Sequence, residues 1–322
     1  MNESPLALLE IRNLKKSFQI KGQIFAALHS FSLSLDKGES VALVGESGSG
    51  KSTAGKTILR LQEPDSGSVT YGGVDLLSLS SAQMKQMRRK MQIIFQDPYS
   101  ALNPRMTILD SVGEGFDIHT HVRGKERQRK VQLLLQSVDL NATDIHRFPH
   151  EFSGGQRQRI AIARALALEP EFMVCDEPLS ALDAPTQKHI LRLLTDLQQA
   201  KGMALLFITH DLSTARKISQ RIAVMYRGTL VEVGPTEQVY TFPKHPYTQL
   251  LINSIPTPDP RKERARSPFL NIGEPAQPLN VLQGCAFYAR CPYAMPICQT
   301  KAPSLKQIAP RHTVACHLLD KD

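Results

Sequence analysis

The chain has 322 residues, 41% of them hydrophobic, and a formal net charge of +9. Its length exceeds that of a usual single domain, so one large and one small unit are expected around an ordinary globular core. No apolar run approaches the roughly 20 residues a spanning helix needs; the longest, such as Met203–Ile208, are strand-sized.

The opening Met1-Asn-Glu-Ser-Pro5 lacks a basic stretch followed by an apolar one, so no secretory signal is expected and the chain is read as cytoplasmic. The positive balance suits an anionic partner, either nucleic acid or the lipid of the inner leaflet, and does not choose between them. Basic clusters at Lys85–Lys90, Arg123–Lys130 and Arg261–Arg266 read mostly as solvated faces.

Residues 8 to 35 alternate as strands do, with a turn at Lys21-Gly22, and predict an antiparallel edge. Phe18 in this edge is either packed or a platform for a purine ring. The apolar run Val41–Val44 then leads into Gly45-Glu-Ser-Gly-Ser-Gly-Lys51-Ser52, which fits G-x-x-x-x-G-K-[ST] at every fixed position, and Thr53–Arg60 continues as a helix. In that strand-loop-helix unit Gly45, Gly48 and Gly50 let backbone N–H groups of the loop, Ser47 included, turn toward an anion at the helix N-terminus. Lys51 would neutralise β and γ phosphates and Ser52 would offer its hydroxyl to Mg²⁺.

Pro64-Asp-Ser-Gly67 predicts a turn and Ser68–Tyr71 a strand. Met91–Phe95 reads as a buried strand with Gln96 where it stops, the place at which open α/β sheets hold ligands. Residues 97 to 151 change to helices and loops, a helical insertion in the α/β unit. Phe152-Ser153-Gly154-Gly155-Gln156 follows, with a helix expected over Arg157–Ala167, so that two glycines at a helix start make a second phosphate corner. Phe172–Cys175 is a further buried strand, ended by Asp176-Glu177; adjacent carboxylates there are costly unless a cation sits by them. Ser180-Ala-Leu-Asp183, a helix over Thr186–Ala200, the strand Ala204–Ile208 and then Thr209-His210-Asp211 complete the series.

Together these residues resemble the nucleotide-binding subunit of ATP-binding cassette (ABC) transporters over roughly residues 8 to 235. The family's phosphate loop matches Gly45 to Ser52, its glutamine loop Gln96, its signature Ser153-Gly-Gly-Gln156, its Walker B carboxylates Asp176 and Glu177, its D-loop Ser180 to Asp183 and its switch histidine His210. Phe152 stands where leucine is usual, and Ala184-Pro185 is an uncommon continuation. His245-Pro-Tyr-Thr248 and Gly284-Cys-Ala-Phe-Tyr-Ala-Arg-Cys-Pro292 resemble the C-terminal extension of the oligopeptide, dipeptide and nickel importer ATPases, most closely the second dipeptide-type subunit.

The resemblance implies an α/β P-loop NTPase cassette over residues 1–240, with a mixed sheet, an antiparallel β edge and a helical insertion at about 97–155, and a loop-rich extension over 241–322. It implies that ATP and Mg²⁺ bind, with Lys51, Ser52 and Thr53 on this subunit's nucleotide and Ser153, Gly154 and Gly155 on a partner cassette's. Ser52, Gln96 and Asp176 would hold Mg²⁺, Glu177 would activate water and His210 would orient it. The implied partners are two permeases, a paralogous ATPase and an external solute-binding protein, at the cytoplasmic face of the inner membrane and without nucleic acid. A nucleic-acid-associated ATPase with the same cassette is the alternative; such proteins usually carry long coiled coils between their ATP motifs, and no heptad run separates Lys51 from Ser153.

Of five cysteines, Cys175 falls in a buried strand, while Cys285, Cys291, Cys298 and Cys316 share a proline-rich tail. A cytoplasmic setting disfavours disulfides, leaving Zn²⁺, a [4Fe–4S] cluster or unligated thiols. The spacing matches neither zinc ribbons nor ferredoxins, and the subfamily resemblance implies the cluster.

Overall fold

The computed structural model describes residues 7–255 and 283–320, so the basic cluster Arg261–Arg266 and the opening Met1–Pro5 lie outside the described residues. In chain order the first elements are Leu9–Ile20 (β1), Gln23–Leu35 (β2), Ser40–Val44 (β3), Lys51–Ile58 (α1), Ser66–Tyr71 (β4), Val74–Asp75 (β5) and Ser81–Met87 (α2). Then come Met91–Ile94 (β6), Pro98–Ala101 (α3), Ile108–His119 (α4), Gly124–Ser137 (α5), Gly154–Leu166 (α6), Phe172–Asp176 (β7), Ala184–Lys201 (α7) and Ala204–Thr209 (β8). Leu212–Ile218 (α8), Arg221–Tyr226 (β9), Thr229–Pro235 (β10), Thr236–Thr241 (α9), Pro246–Asn253 (α10), Pro296–Thr300 (α11), Lys306–Ala309 (β11) and His312–Val314 (β12) follow.

The chain divides into two units that interleave along the sequence. One comprises the described residues up to Leu8, Leu35–Glu39 and Gly72–Ile208. Its β6, β7 and β8 form a parallel sheet in which Met91 lies beside Phe172 and Phe172 beside Ala204. Every residue of β7 and β8 is buried, as strands covered on both faces require, and so both read as continuous apolar runs rather than alternations. Helices α3 to α6 supply the helical segment, its core formed by Val112, Phe116, Val131, Leu135 and Ile162.

The expected basic faces are partly neutralised within this unit. Arg127 reaches Asp117 at 2.8 Å, Lys130 reaches Glu126 at 3.4 Å and Lys90 reaches Glu171 at 3.2 Å.

The other unit holds Leu9–Ser34, Ser40–Tyr71 and the described residues from Thr209 on. Strands β1 and β4 pair antiparallel, Leu9 against Tyr71 and Ile11 against Val69. The β1–β2 turn places Lys21 and Gly22 at φ 48° and 79°, the twist-matched two-residue hairpin that the sequence predicts. Strand β3 lies parallel to β9, and β9, β10, β12 and β11 continue antiparallel. Ala42, Val44, Leu212, Ile222, Val224, Tyr226, Val231, Tyr247 and Phe287 form one buried cluster here, so tail residues share a core with the strand that leads to the glycine-rich loop.

Candidate nucleotide site

The glycine-rich loop leaves β3 at a point where backbone crowds backbone. A methyl group on Gly45 would fall 2.1 Å from the Met225 carbonyl oxygen; one on Gly50, which has φ 101°, would fall 2.4 Å from that of Ala27. Only glycine fits either position. Lys51 opens α1, is 4% exposed, and turns its ammonium back onto the carbonyl oxygens of Gly45 at 2.8 Å and Glu46 at 2.9 Å. The Gly228 N–H donates to the Ser49 carbonyl at 2.8 Å and ties the loop to the β9–β10 turn. Ser47 and Gly48 are exposed, Ser52 and Thr53 half-buried. Phe18 is half-buried in β1, with the Lys16 ammonium 5.4 Å from its ring centre. His210 directly follows β8 and is exposed.

In the other unit, Asp176 ends β7 and is 3% exposed. Glu177 takes the left-handed conformation at φ 44°, and its N–H donates to the Ile208 carbonyl at 3.0 Å. The Gln96 amide donates to the Glu177 carboxylate at 3.0 Å, joining two residues 81 positions apart that the sequence placed at separate strand ends. The signature helix begins at Gly154, three residues earlier than the sequence suggests. Ser153 accepts from the Gln156 N–H at 3.3 Å while the Gln156 side chain accepts from the Ser153 N–H at 2.9 Å, so Gln156 is half of a capping box. Gly155 lies against Thr186 in the first turn of α7. Asp183 caps that helix through the Thr186 N–H at 2.9 Å, and the bonds to Thr186 hold its carboxyl below the usual range. Pro185 sits in the first helical turn, where its missing N–H costs nothing, which accounts for the uncommon Ala184-Pro185.

Hydroxyl, amide and carboxylate oxygens of Ser52, Gln96 and Asp176 are donors of the kind Mg²⁺ takes, so these residues fit that ion in type.

Of the tail thiols, Cys298 is buried and Cys285, Cys291 and Cys316 are half-buried. Burial pushes Cys285 up to about 11, with smaller contributions from Cys298, Cys316 and Cys291; burial also raises Cys291 and Cys316. Among the described residues no group of three or more His, Cys, Asp or Glu is placed to hold a metal ion. The expected [4Fe–4S] cluster, and zinc with it, is therefore not supported. What orders this segment is backbone and ring packing: the Cys285 N–H donates to the Cys298 carbonyl at 2.7 Å, and Phe287 stands edge-on to Tyr226 at 5.3 Å. Cys175 is fully buried and burial raises its thiol far above the usual range, as befits an inert core residue.

Several site residues were invisible in the sequence. Arg290 forms a two-pronged ion pair with Glu46, at 2.8 and 3.0 Å, across 244 positions. Tyr247 accepts the Glu46 N–H at 2.9 Å. Glu232, wholly buried in β10, accepts from the N–H groups of Lys244 and His245 and faces His312 Nε2 at 2.9 Å. The only signal was the pair of tail motifs, whose spacing says nothing of their targets.

Comparison with known proteins decides the family. The ABC transporter family model matches residues 28–180, and that of the oligopeptide/dipeptide transporter C-terminal region matches residues 231–298. The chain is 44% identical over 319 residues to the oligopeptide transport ATP-binding protein AppF of Bacillus subtilis, covering 97% of each. The chain belongs to the ABC transporter ATPase family. Another relative, the putative oligopeptide transport ATP-binding protein YkfD of Bacillus subtilis, is 48% identical over 318 residues, covering 97% of this ATPase and 96% of YkfD. Among solved structures, the ATP-binding cassette MJ0796, a dimer in a post-hydrolysis state bound to ADP and Pi, matches 71% of this ATPase and 98% of its own chain, with TM-score 0.66 and 31% identity. The expected P-loop NTPase fold and ABC ATPase activity are thereby shown, and the nucleic-acid alternative loses its ground. Among the described residues no helix is long and apolar enough to cross a membrane.

Proposed function

We propose that this ATPase powers import of oligopeptides, dipeptides or related small solutes, as a peripheral subunit on the cytoplasmic face of the inner membrane. The observation that carries this reading is near-full-length similarity to AppF, through the tail as well as the cassette. Its partners would be two permeases, a paralogous ATPase and an extracytoplasmic solute-binding protein. The cassette would span residues 1–240, with the helical insertion at about 97–155, and the extension residues 241–322.

In this reading the loop from Gly45 to Thr53 binds the phosphates of ATP, with Lys51 opposite the β and γ groups, while Phe18 stacks on the base. Ser153, Gly154, Gly155 and Gln156 face a nucleotide held by the partner cassette, with Asp183 at the same seam. Mg²⁺, held by Ser52, Gln96 and Asp176, would screen the phosphate charge. Glu177 takes the proton of the attacking water, and His210 holds that water toward the γ phosphate. The Gln96–Glu177 hydrogen bond supports this assignment, since it links the base to the loop that would sense the permease.

The test is ATP hydrolysis by the copurified complex in vesicles. Peptide-loaded binding protein is expected to stimulate it; stimulation by nickel alone and by no peptide would overturn the peptide reading.

A further inference from the structure

Glu46 is the second residue of the glycine-rich loop, and each of its polar groups has a partner. Its carbonyl accepts the Lys51 ammonium at 2.9 Å and its N–H donates to the Tyr247 hydroxyl at 2.9 Å. Its carboxylate takes both terminal nitrogens of Arg290, Nη1 at 2.8 Å and Nη2 at 3.0 Å. Two of these three partners come from the tail.

Both are held rigidly. The Tyr247 ring is fully buried between Tyr226 and Phe287, at 4.6 and 5.4 Å, and its N–H is fixed by His245 Nδ1 at 3.0 Å. Arg290 keeps 11% of its side chain exposed and sits 5.7 and 5.8 Å from the Tyr226 and Phe287 ring centres. A two-pronged arginine–carboxylate pair fixes direction as well as distance.

A carboxylate in a loop that receives a polyanion works against that anion unless a cation cancels it. We propose that Arg290 and Tyr247 are positioning residues which neutralise Glu46 and fix the phosphate loop, so that the C-terminal extension sets the affinity of this cassette for ATP. The inference rests on the phosphate-binding reading of the loop. It gives the tail a task that needs no metal: what disturbs the Cys285–Cys298 segment would be felt at the nucleotide through Arg290.

The experiment measures the Kd of the full-length protein for ATP by equilibrium titration. Arg290→Gln strands the Glu46 charge, and Kd is expected to rise about tenfold. Adding Glu46→Gln removes that charge, and the double variant is expected to return to within about threefold of the parent. A tail that had merely collapsed would not be rescued by a change in the loop. Unchanged affinity in Arg290→Gln, or a double variant as weak as the single one, overturns the proposal. Lys51→Ala separates the two readings: if it still binds ATP, the loop does not hold phosphate and the proposal falls with that reading, whereas if it loses ATP while Arg290→Gln binds normally, only the proposal fails.

Discussion

At the scale of single residues, the tail is anchored by a carboxylate buried without solvent. Glu232 would be intolerable in β10 were its oxygens not met by the N–H groups of Lys244 and His245 and by His312. His245 in turn must stay neutral, because its Nδ1 accepts the Tyr247 N–H; burial holds it at about 4, against 6.5 ordinarily, with Glu232 opposing that shift. A depressed histidine leaves the native state unprotonated where the unfolded chain takes a proton. Stability from this group is therefore complete above pH 6.5 and is lost as pH falls toward 4, by at most about 3 kcal/mol. His245→Asn keeps an acceptor for Tyr247 and removes the titration, so its thermal midpoint should fall less than the parent's between those pH values. An equal fall in both proteins would assign the loss elsewhere. The sequence showed His245-Pro-Tyr-Thr248 as a motif and hid its physics, since Glu232 looks like any polar residue of a half-buried strand.

At the scale of elements, the glycine-rich loop, the buried strands and the D-loop helix were legible because each has a local cause. A Pro in a first turn, Asp183 before it and an apolar run ahead of Asp176 are all read within a few residues. Boundaries slipped where a local bond intervened: the signature helix starts at Gly154 because Ser153 and Gln156 cap one another. Contacts between distant segments left no trace, which is why Glu46 with Arg290 and Gln96 with Glu177 emerged only from the fold. One such contact is tested sterically. A Cβ on Gly155 would fall 2.5 Å from Thr186 Cγ2, and a β-branched side chain in a helix has little freedom to yield. Gly155→Ala is expected to cost about 1–3 kcal/mol by thermal unfolding, and Thr186→Ser, which deletes that methyl, should recover most of it. If the second change recovers nothing, the crowding lies elsewhere.

At the scale of the whole molecule, the chain is an ABC ATPase with the C-terminal region of oligopeptide and dipeptide transporters joined to the unit that carries its glycine-rich loop. The four tail cysteines left zinc, an iron–sulfur cluster or free thiols open, and resemblance favoured the cluster; among the described residues they form no metal-holding group, while rings and an ion pair connect the tail to the loop. The reading proposed for the nucleotide-binding residues has water attacking a γ phosphate with Glu177 as base. The most direct measurement is ATP hydrolysis by the assembled complex carrying Glu177→Gln, with ATP binding followed in the same sample. Binding should persist while turnover falls by roughly 100- to 10,000-fold; turnover at the parental rate would contradict the account.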